Sequence, residues 1–453
     1  MTLDASADCP SQPEYDWDGY AFDTRQVHAG EYDDLTSGAR IPPINMTAGY
    51  RFDSFEDARG RFNGDADGLI YSRQRNPSGT VAERRIASLE GGTEAIVVAS
   101  GQAAITAALL SIAQAGDHIV STASIYSGTR ILFGRSFARF GVTVDYVWDE
   151  FDDDEWDRAI RPNTKAIFSE TIPNPKNDIV DIDRVAAVAK RHGLPFVVDN
   201  TIASPFLIRP FEHGADIVVH SSTKFLSGHG AAISGTIVDG GSFDWAAADR
   251  SYPLITQSSG GLPSIAEKYG RTAYARATRE AVVNDIGPAL SPFNSFLLHQ
   301  GIETLSLRME RHLENSVTIA RWLAEHPAVE SVDYAGLPDN PAHDLAQRLY
   351  GGRSGSVFSF TVQGGEAGAG RFLDRLRVIS HMTNIGDTRS MALHPATTTH
   401  NSFTPELRDR LGITPGLIRL SIGIEAVTDL IADLDHALKT PASREESPRL
   451  ARV

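Results

Sequence analysis

The chain has 453 residues, 41% of them hydrophobic and 22% charged, the balance of a globular protein with two or three domains and ample apolar material for their cores. Its 58 acids outnumber its 42 bases, for a formal charge of -16, and a surface that acidic disfavours nucleic acid and anionic membranes as partners. Cys9 is the one cysteine, which excludes an internal disulfide and argues against a catalytic thiol or a cysteine-based metal site.

In chain order, residues 1–19 contain no Lys or Arg and no apolar core, so they read as an acidic tail rather than a secretory or transit segment. No run reaches the roughly 20 apolar residues of a membrane span, and the cytoplasm is the expected location. From Tyr71 to Gly241, short β-rich runs alternate with helical stretches. The runs are Glu94–Ala99, His118–Ser121, Val142–Val147, Lys165–Ser169, Pro195–Asp199, Ile217–His220 and Ile233–Val238. Between them Ala103–Ala113, Ser127–Phe140 and Ile182–His192 place apolar residues three and four apart, as one face of a helix requires. Strands alternating with helices of this length predict βαβ units and a mainly parallel sheet covered on both faces.

The texture changes near Pro288. Phe293–Leu298 and Thr304–Glu325 read as long amphipathic helix stopped by Pro327. Strands at Val329–Tyr334, Ser356–Val362 and Leu417–Ile422, with helices at Ala367–Leu376 and Thr428–Leu438, predict a smaller α+β domain. The tail after Lys439 is polar. The expected division is an N-terminal tail and arm over 1–70, a large α/β domain over 71–290, and a linking helix with the α+β domain over 291–453.

Ligands of an open α/β sheet bind beyond the carboxyl ends of its strands. Three such ends stand out. Glu94–Ala99 runs into Ser100-Gly101-Gln102-Ala103-Ala104 and straight into a helix, where small residues let backbone N–H groups approach an anion. Pro195–Val198 ends in Asp199-Asn200-Thr201, and Ile217–Val219 ends in His220-Ser221-Ser222-Thr223-Lys224. Singly these are a turn glycine, a capping acid and a solvated lysine. Together they offer what pyridoxal phosphate needs: an amine for its aldehyde, an acid for its ring nitrogen, and amides and hydroxyls for its phosphate. The glycine-rich run Gly364–Gly370 lacks the G-x-G-x-x-G spacing and the acid about 20 residues on that a dinucleotide fold needs. His394 and His400, six apart, make a poor metal pair, so no metal is expected.

Four segments, Tyr71-Ser72-Arg73-Gln74-Arg75-Asn76-Pro77-Ser78, Ala99-Ser100-Gly101-Gln102-Ala103-Ala104, Val198-Asp199-Asn200-Thr201 and Ser221-Ser222-Thr223-Lys224-Phe225-Leu226-Ser227-Gly228-His229-Gly230, carry a resemblance to the Cys/Met-metabolism family of pyridoxal-phosphate enzymes. It runs from about Asp23 to Lys439 and implies the aspartate-aminotransferase-like fold (fold type I), with a mainly parallel seven-stranded sheet. Within that family the chain is most similar to the O-acetylhomoserine sulfhydrylases, through Gly301–Arg308, Ser380–Arg389 and a long insertion between about Asp239 and Asp285. The lyases that use a cysteine shortly after the ring-stacking tyrosine find Gly128 here.

The resemblance assigns roles by position. Lys224 joins the cofactor and moves protons, and Asp199 pairs with its ring nitrogen. Tyr126 stacks on the ring and, as a second catalytic residue, assists proton transfer, and Asn174 lies near the ring hydroxyl. Gly101, Gln102, Ser221 and Thr223 hold the phosphate, with Thr201 also in the cofactor set. Tyr71 and Arg73 reach that phosphate from a neighbouring subunit, implying a homo-oligomer, usually a dimer of dimers. Arg419, assisted by Asn384, clamps the substrate α-carboxylate. The implied reaction is γ-replacement on O-acetyl-L-homoserine by sulfide or a small thiol. A cystathionine γ-synthase or γ-lyase, or γ-replacement by another nucleophile, remains open, because Pro173 and the segment Gly260-Gly261-Leu262-Pro263-Ser264 depart from the sulfhydrylase pattern.

Overall fold

The computed structural model describes residues 17, 19–32, 37–258, 261 and 263–439. Residues 1–16, Cys9 among them, and those beyond 439 lie outside the described residues, so the readings of the two tails stay as sequence readings.

Among the described residues, twelve strands form two sheets. The larger contains β1 (Glu94–Val98), β2 (His118–Thr122), β3 (Thr143–Val147), β4 (Thr164–Glu170), β5 (Phe196–Asp199), β6 (Ile217–His220) and β7 (Gly235–Asp239), in the order β1-β7-β6-β5-β4-β2-β3. β7 runs against both its neighbours, β1 and β6, and the other pairs are parallel. β4, β5, β6 and β7 are buried along their whole lengths, which explains why they read as unbroken apolar runs rather than alternating ones. Helices cover both faces. On one side Ile86, Leu89, Val185, Val188, Leu298 and Trp156 pack against Ile167, Val198 and Val218. On the other Ile105, Leu109, Phe133, Phe137 and Tyr274 pack against Ile119, Phe168 and Val219. Burying one such large apolar side chain contributes roughly 1.5–3 kcal/mol.

The smaller sheet contains β8 (Val329–Asp333), β9 (Val357–Val362), β10 (Ser380–His381), β11 (Met391–Leu393) and β12 (Leu417–Ser421), in the order β10-β11-β12-β9-β8. Its core joins Phe358, Phe360, Ile418 and Leu420 to the helices Leu305–Ala324, Gly365–Arg375 and Val427–Leu438. Buried Asp433 takes the backbone N–H groups of Arg377, Val378 and Ile379 at 2.9, 3.0 and 2.9 Å, fixing the approach to β10.

The structure departs from the sequence reading at several elements. The stretch 127–140 is one α-helical turn and a half, Ser127–Ile131, followed by a π-helical segment, Leu132–Phe137. The last large-sheet strand begins at Gly235 rather than Ile233, whose side chain is 63% exposed. The glycine-rich run after β9 opens the helix Gly365–Arg375 and faces no nucleotide-binding strand end of the larger sheet. β10 and β11, of two and three residues, were not anticipated.

Candidate active site

The carboxyl ends of β5 and β6 meet at one hydroxyl. Thr201 Oγ1 donates to Asp199 Oδ1 at 2.5 Å and accepts the Ser221 N–H at 2.8 Å. The Thr201 N–H also reaches Asp199 Oδ1, at 2.9 Å. Ser221 faces the start of the helix Gly101–Leu110, which Ser100 caps by accepting the Ala103 N–H at 3.1 Å. A Cβ on Gly101 would lie 2.5 Å from the Ser221 Cβ, so only glycine allows the helix N-terminus to close on that serine. The first N–H groups of a helix have no intrahelical partner and carry its positive dipole end, which makes this corner an anion cradle. Gln102, the second residue of that helix, is also uncommitted on one side, its buried Oε1 having no partner. Thr223 is less free than the sequence reading has it, because its hydroxyl donates to the Ser234 carbonyl at 3.0 Å and accepts the Ser234 N–H at 2.9 Å.

Lys224 follows this corner by one residue, and its environment is that of a reactive amine. Its Nζ donates to Asn384 Oδ1 at 2.6 Å. Burial, and then the nearby Arg419 guanidinium, lower its pKa to about 8. Asn384 arrives from the smaller sheet on a loop held by two backbone bonds, Gly386 N–H to Ser421 Oγ at 3.0 Å and Thr388 N–H to the Gly228 carbonyl at 3.0 Å. Gly228 has φ +72° and its position would put a Cβ 2.1 Å from Arg308 Nη1, so the turn after Lys224 also depends on glycine. Arg308 in turn donates to the carbonyls of Phe225 and Gly301 at 2.7 Å each.

Arg419, on β12, is buried at 4% exposure beside this lysine. Its Nη2 donates to the Asn384 carbonyl at 3.0 Å and its Nη1 to Asn174 Oδ1 at 3.4 Å, while Nε is buried without a partner. Burial lowers its pKa to about 10, which leaves it cationic at neutral pH. A buried guanidinium with an unused donor and no carboxylate among its partners is built to receive one.

Tyr126 precedes the helix Ser127–Ile131 and is 39% exposed, its ring open to the site. A Cβ at Gly128 would lie 2.4 Å from Tyr126 Cε1, so any side chain at position 128 displaces this ring. The Tyr126 N–H donates to Glu170 Oε1 at 2.7 Å. Glu170 is the residue the sequence reading missed. It ends β4 in register with Asp199 on β5, so two carboxyl groups stand side by side at the floor of the site. Burial, and then the Asp199 charge, hold Glu170 well above the usual carboxylate range. Burial also raises Asp199, against the pull of the Thr201 hydroxyl and of His220. A strand of apolar residues ending in an acid was the one sequence signal for Glu170.

Lys224, Asn384, Arg419 and Asn174 therefore form one bonded chain, and Asp199, Thr201 and Ser221 a second. Tyr71 and Arg73 join neither. They stack on each other, with the guanidinium 5.1 Å from the ring centre, and with Ala48, Gly287 and Ser291 line an open groove of about 370 Å³. Tyr71 is 43% exposed.

This layout is that of the fold type I enzymes that work with pyridoxal phosphate. Residues 23–439 match the family of Cys/Met metabolism PLP-dependent enzymes, and the chain belongs to that family. It is 43% identical over 430 residues to the O-acetyl-L-homoserine sulfhydrylase of Corynebacterium glutamicum, covering 93% of this chain and 98% of that one. It is 41% identical over 421 residues to the homocysteine synthase of Schizosaccharomyces pombe, covering 92% and 98%. A Campylobacter jejuni structure, solved as that of an O-acetylhomoserine (thiol)-lyase with N'-pyridoxyl-lysine-5'-monophosphate, superposes with a TM-score of 0.89 at 34% identity over 93% of this chain and all of that one. The chain is a PLP-dependent enzyme. No helix among the described residues is long and apolar enough to cross a membrane.

Proposed function

We propose that this enzyme replaces the γ-acetoxy group of O-acetyl-L-homoserine with sulfide, or with a small thiol, giving L-homocysteine or its S-alkyl counterpart and acetate. The observation that carries the reading is the Lys224–Asn384–Arg419 array, which sets a readily deprotonated amine beside a buried, incompletely used guanidinium. The sulfhydrylases and homocysteine synthases among its relatives supply the substrate class.

Pyridoxal phosphate, joined to an amino acid, supplies an electron sink that acidifies its Cα and Cβ protons. Gly101, Gln102 and Ser221, with Thr223 at the rim, would hold the phosphate, and Asp199 would keep the ring nitrogen protonated. Tyr126 and Asn174 would be the residues that hold the ring. Arg419 takes the substrate carboxylate on Nε and Nη1, orienting Cα toward Lys224, and Asn384 holds both the lysine and the guanidinium in place. Lys224 Nζ removes the Cα proton, and proton movement at Cβ lets acetate leave from Cγ. Sulfide adds at Cγ, and Lys224 returns the protons. Tyr71 and Arg73, open on the surface and bonded to neither chain of site residues, complete the phosphate site of a second copy, so the working enzyme is a homo-oligomer, taken as a tetramer, in the cytoplasm. The same reading keeps the division at residues 70 and 290, with the cofactor cradle in 71–290 and the carboxylate clamp in 291–453.

The test is a product-identifying assay with O-acetyl- and O-succinyl-homoserine against sulfide, methanethiol and cysteine. Homocysteine from the acetyl ester and sulfide at the highest kcat/KM is expected. A preference for cysteine would move the enzyme to the cystathionine γ-synthases.

A further inference from the structure

The alternation of the large sheet sets an acid that the reaction above does not use beside one that it does. Phe168 pairs with Val197 and Glu170 with Asp199 in the β4–β5 register, and such partners on parallel strands present their side chains to the same face. Phe168 and Val197 pack with Ile105 and Phe133, so that face is the one covered by the helix Gly101–Leu110 and by the segment that follows Tyr126. Glu170 ends the row at 5% exposure, and its Oε1 accepts the Tyr126 N–H at 2.7 Å. The short helix Ser127–Ile131 has no side-chain cap at its start, where the Tyr126 carbonyl accepts the Thr129 and Arg130 N–H groups at 3.0 and 3.1 Å. The bond to Glu170 is thus what ties residue 126 itself to the sheet. The ties beside it are at Ala123, whose N–H reaches the Val147 carbonyl at 2.7 Å, and at Ser124, whose hydroxyl donates to Asp178 Oδ2 at 2.9 Å. The Tyr126 ring lies against Gly128, so its direction follows the course of the backbone through this turn.

We propose that Glu170 is a positioning residue for Tyr126: by accepting the N–H of that residue it fixes the turn from which the tyrosine ring reaches the cofactor, on the same strand pair that carries Asp199. The plainer alternative is an acid that only satisfies a buried donor. A peptide N–H needs no more than one neutral acceptor, whereas this one draws on a carboxyl group more than nine-tenths buried beside a second acid, which is a costly place for it. Costly titratable groups of this kind gather where geometry serves function. Burial, and then the Asp199 charge, hold Glu170 toward its neutral acid, for which glutamine is the isostere. The role therefore needs the acceptor oxygen and not a charge.

This rests on the assignment of Tyr126 to the cofactor ring, and the experiment separates the two. Equilibrium binding of pyridoxal phosphate to the apoenzyme is followed by fluorescence, and the surroundings of the bound ring by circular dichroism at the absorption band of the lysine-bound cofactor. Glu170→Ala is expected to weaken binding roughly fivefold or more and to diminish the dichroic band. Glu170→Leu, which fills the space without an acceptor, makes the same comparison should the alanine variant not fold. Glu170→Gln keeps the acceptor and is expected to stay within about twofold of the parent. In a Tyr126→Ala background, which retains the N–H and removes the ring, Glu170→Ala is expected to add less than about twofold. The proposal is overturned if Glu170→Gln loses as much as Glu170→Ala, or if the full loss persists without the ring, since Glu170 then acts elsewhere. Tyr126→Ala alone is expected to weaken binding and alter the band. If it leaves both as in the parent, the assignment of Tyr126 is what fails, and this proposal with it.

Discussion

The lowered pKa of Lys224 sets the rate at which the apoenzyme captures its cofactor. Only the neutral amine attacks an aldehyde. With a pKa of about 8, about a tenth of Lys224 is neutral at pH 7, whereas an ordinary lysine near 10.5 has about 3 in 10,000, a ratio of about 300. That factor corresponds to about 3.4 kcal/mol between the two protonation states, and it comes first from burial and second from Arg419. Stopped-flow mixing of apoenzyme with pyridoxal phosphate, read at the absorption band of the lysine-bound cofactor, is expected to give a capture rate that rises with pH to a midpoint of about 8. Arg419→Gln removes the smaller cause and is expected to raise that midpoint by the smaller part of the shift. The sign for stability follows from the same numbers. A lysine whose folded pKa is depressed opposes folding while it is charged, so the apoenzyme gains stability between about pH 8 and 10.5. A capture midpoint above 10, or one that falls when Arg419 is neutralised, would refute the reasoning.

Other perturbations probe separate parts of the site. Asp199→Asn is expected to cost roughly 2–4 kcal/mol of barrier, read as kcat in a steady-state assay. Arg419→Gln is expected to lower kcat/KM by roughly 10²–10⁴, chiefly through KM, because two charge-assisted hydrogen bonds of about 1.5–3 kcal/mol each are lost; Arg419→Lys recovers little, since an ammonium cannot form both. If Tyr71 and Arg73 serve a neighbour, Arg73→Ala and Lys224→Ala enzymes, each inactive alone, regain activity when refolded together, to about a quarter of wild-type sites in a random dimer mixture. Asp433→Ala orphans three backbone donors and is expected to destabilise the apoenzyme by about 2–4 kcal/mol in urea titration.

The large sheet was legible because buried parallel strands are written as short apolar runs of nearly their true length. All seven of its strands fall within two residues of the sequence reading at each end, and six of them within one. β10 and β11 were invisible for the opposite reason: two or three residues span no period, and they exist because Asp433 and β12 hold them. The functional segments at the ends of β1, β5 and β6 could be found from the rule that ligands sit at carboxyl ends. What no local pattern carries is the lateral geometry. Asn384, expected beside Arg419, also holds Lys224 across 160 residues of sequence, and Glu170 matters only because the β4–β5 register puts it beside Asp199. Thr223 shows the reverse case, a hydroxyl of the right type largely satisfied by its own turn.

The two bonded chains of the site explain why it draws on both sheets. Asp199, Thr201 and Ser221 stand at the ends of adjacent strands of one sheet, so the positions proposed to grip ring nitrogen and phosphate are tied to each other by a single hydroxyl. Lys224, in the turn beyond β6, and Arg419, on β12 of the smaller sheet, are linked through Asn384: its side chain takes the amine and its carbonyl takes the guanidinium. A substrate carboxylate arriving at Arg419 acts on the same asparagine that holds the lysine. In the proposed roles, binding of the amino acid and release of the lysine amine are thereby connected through one residue, and Asp199 lies outside that connection on β5 of the larger sheet.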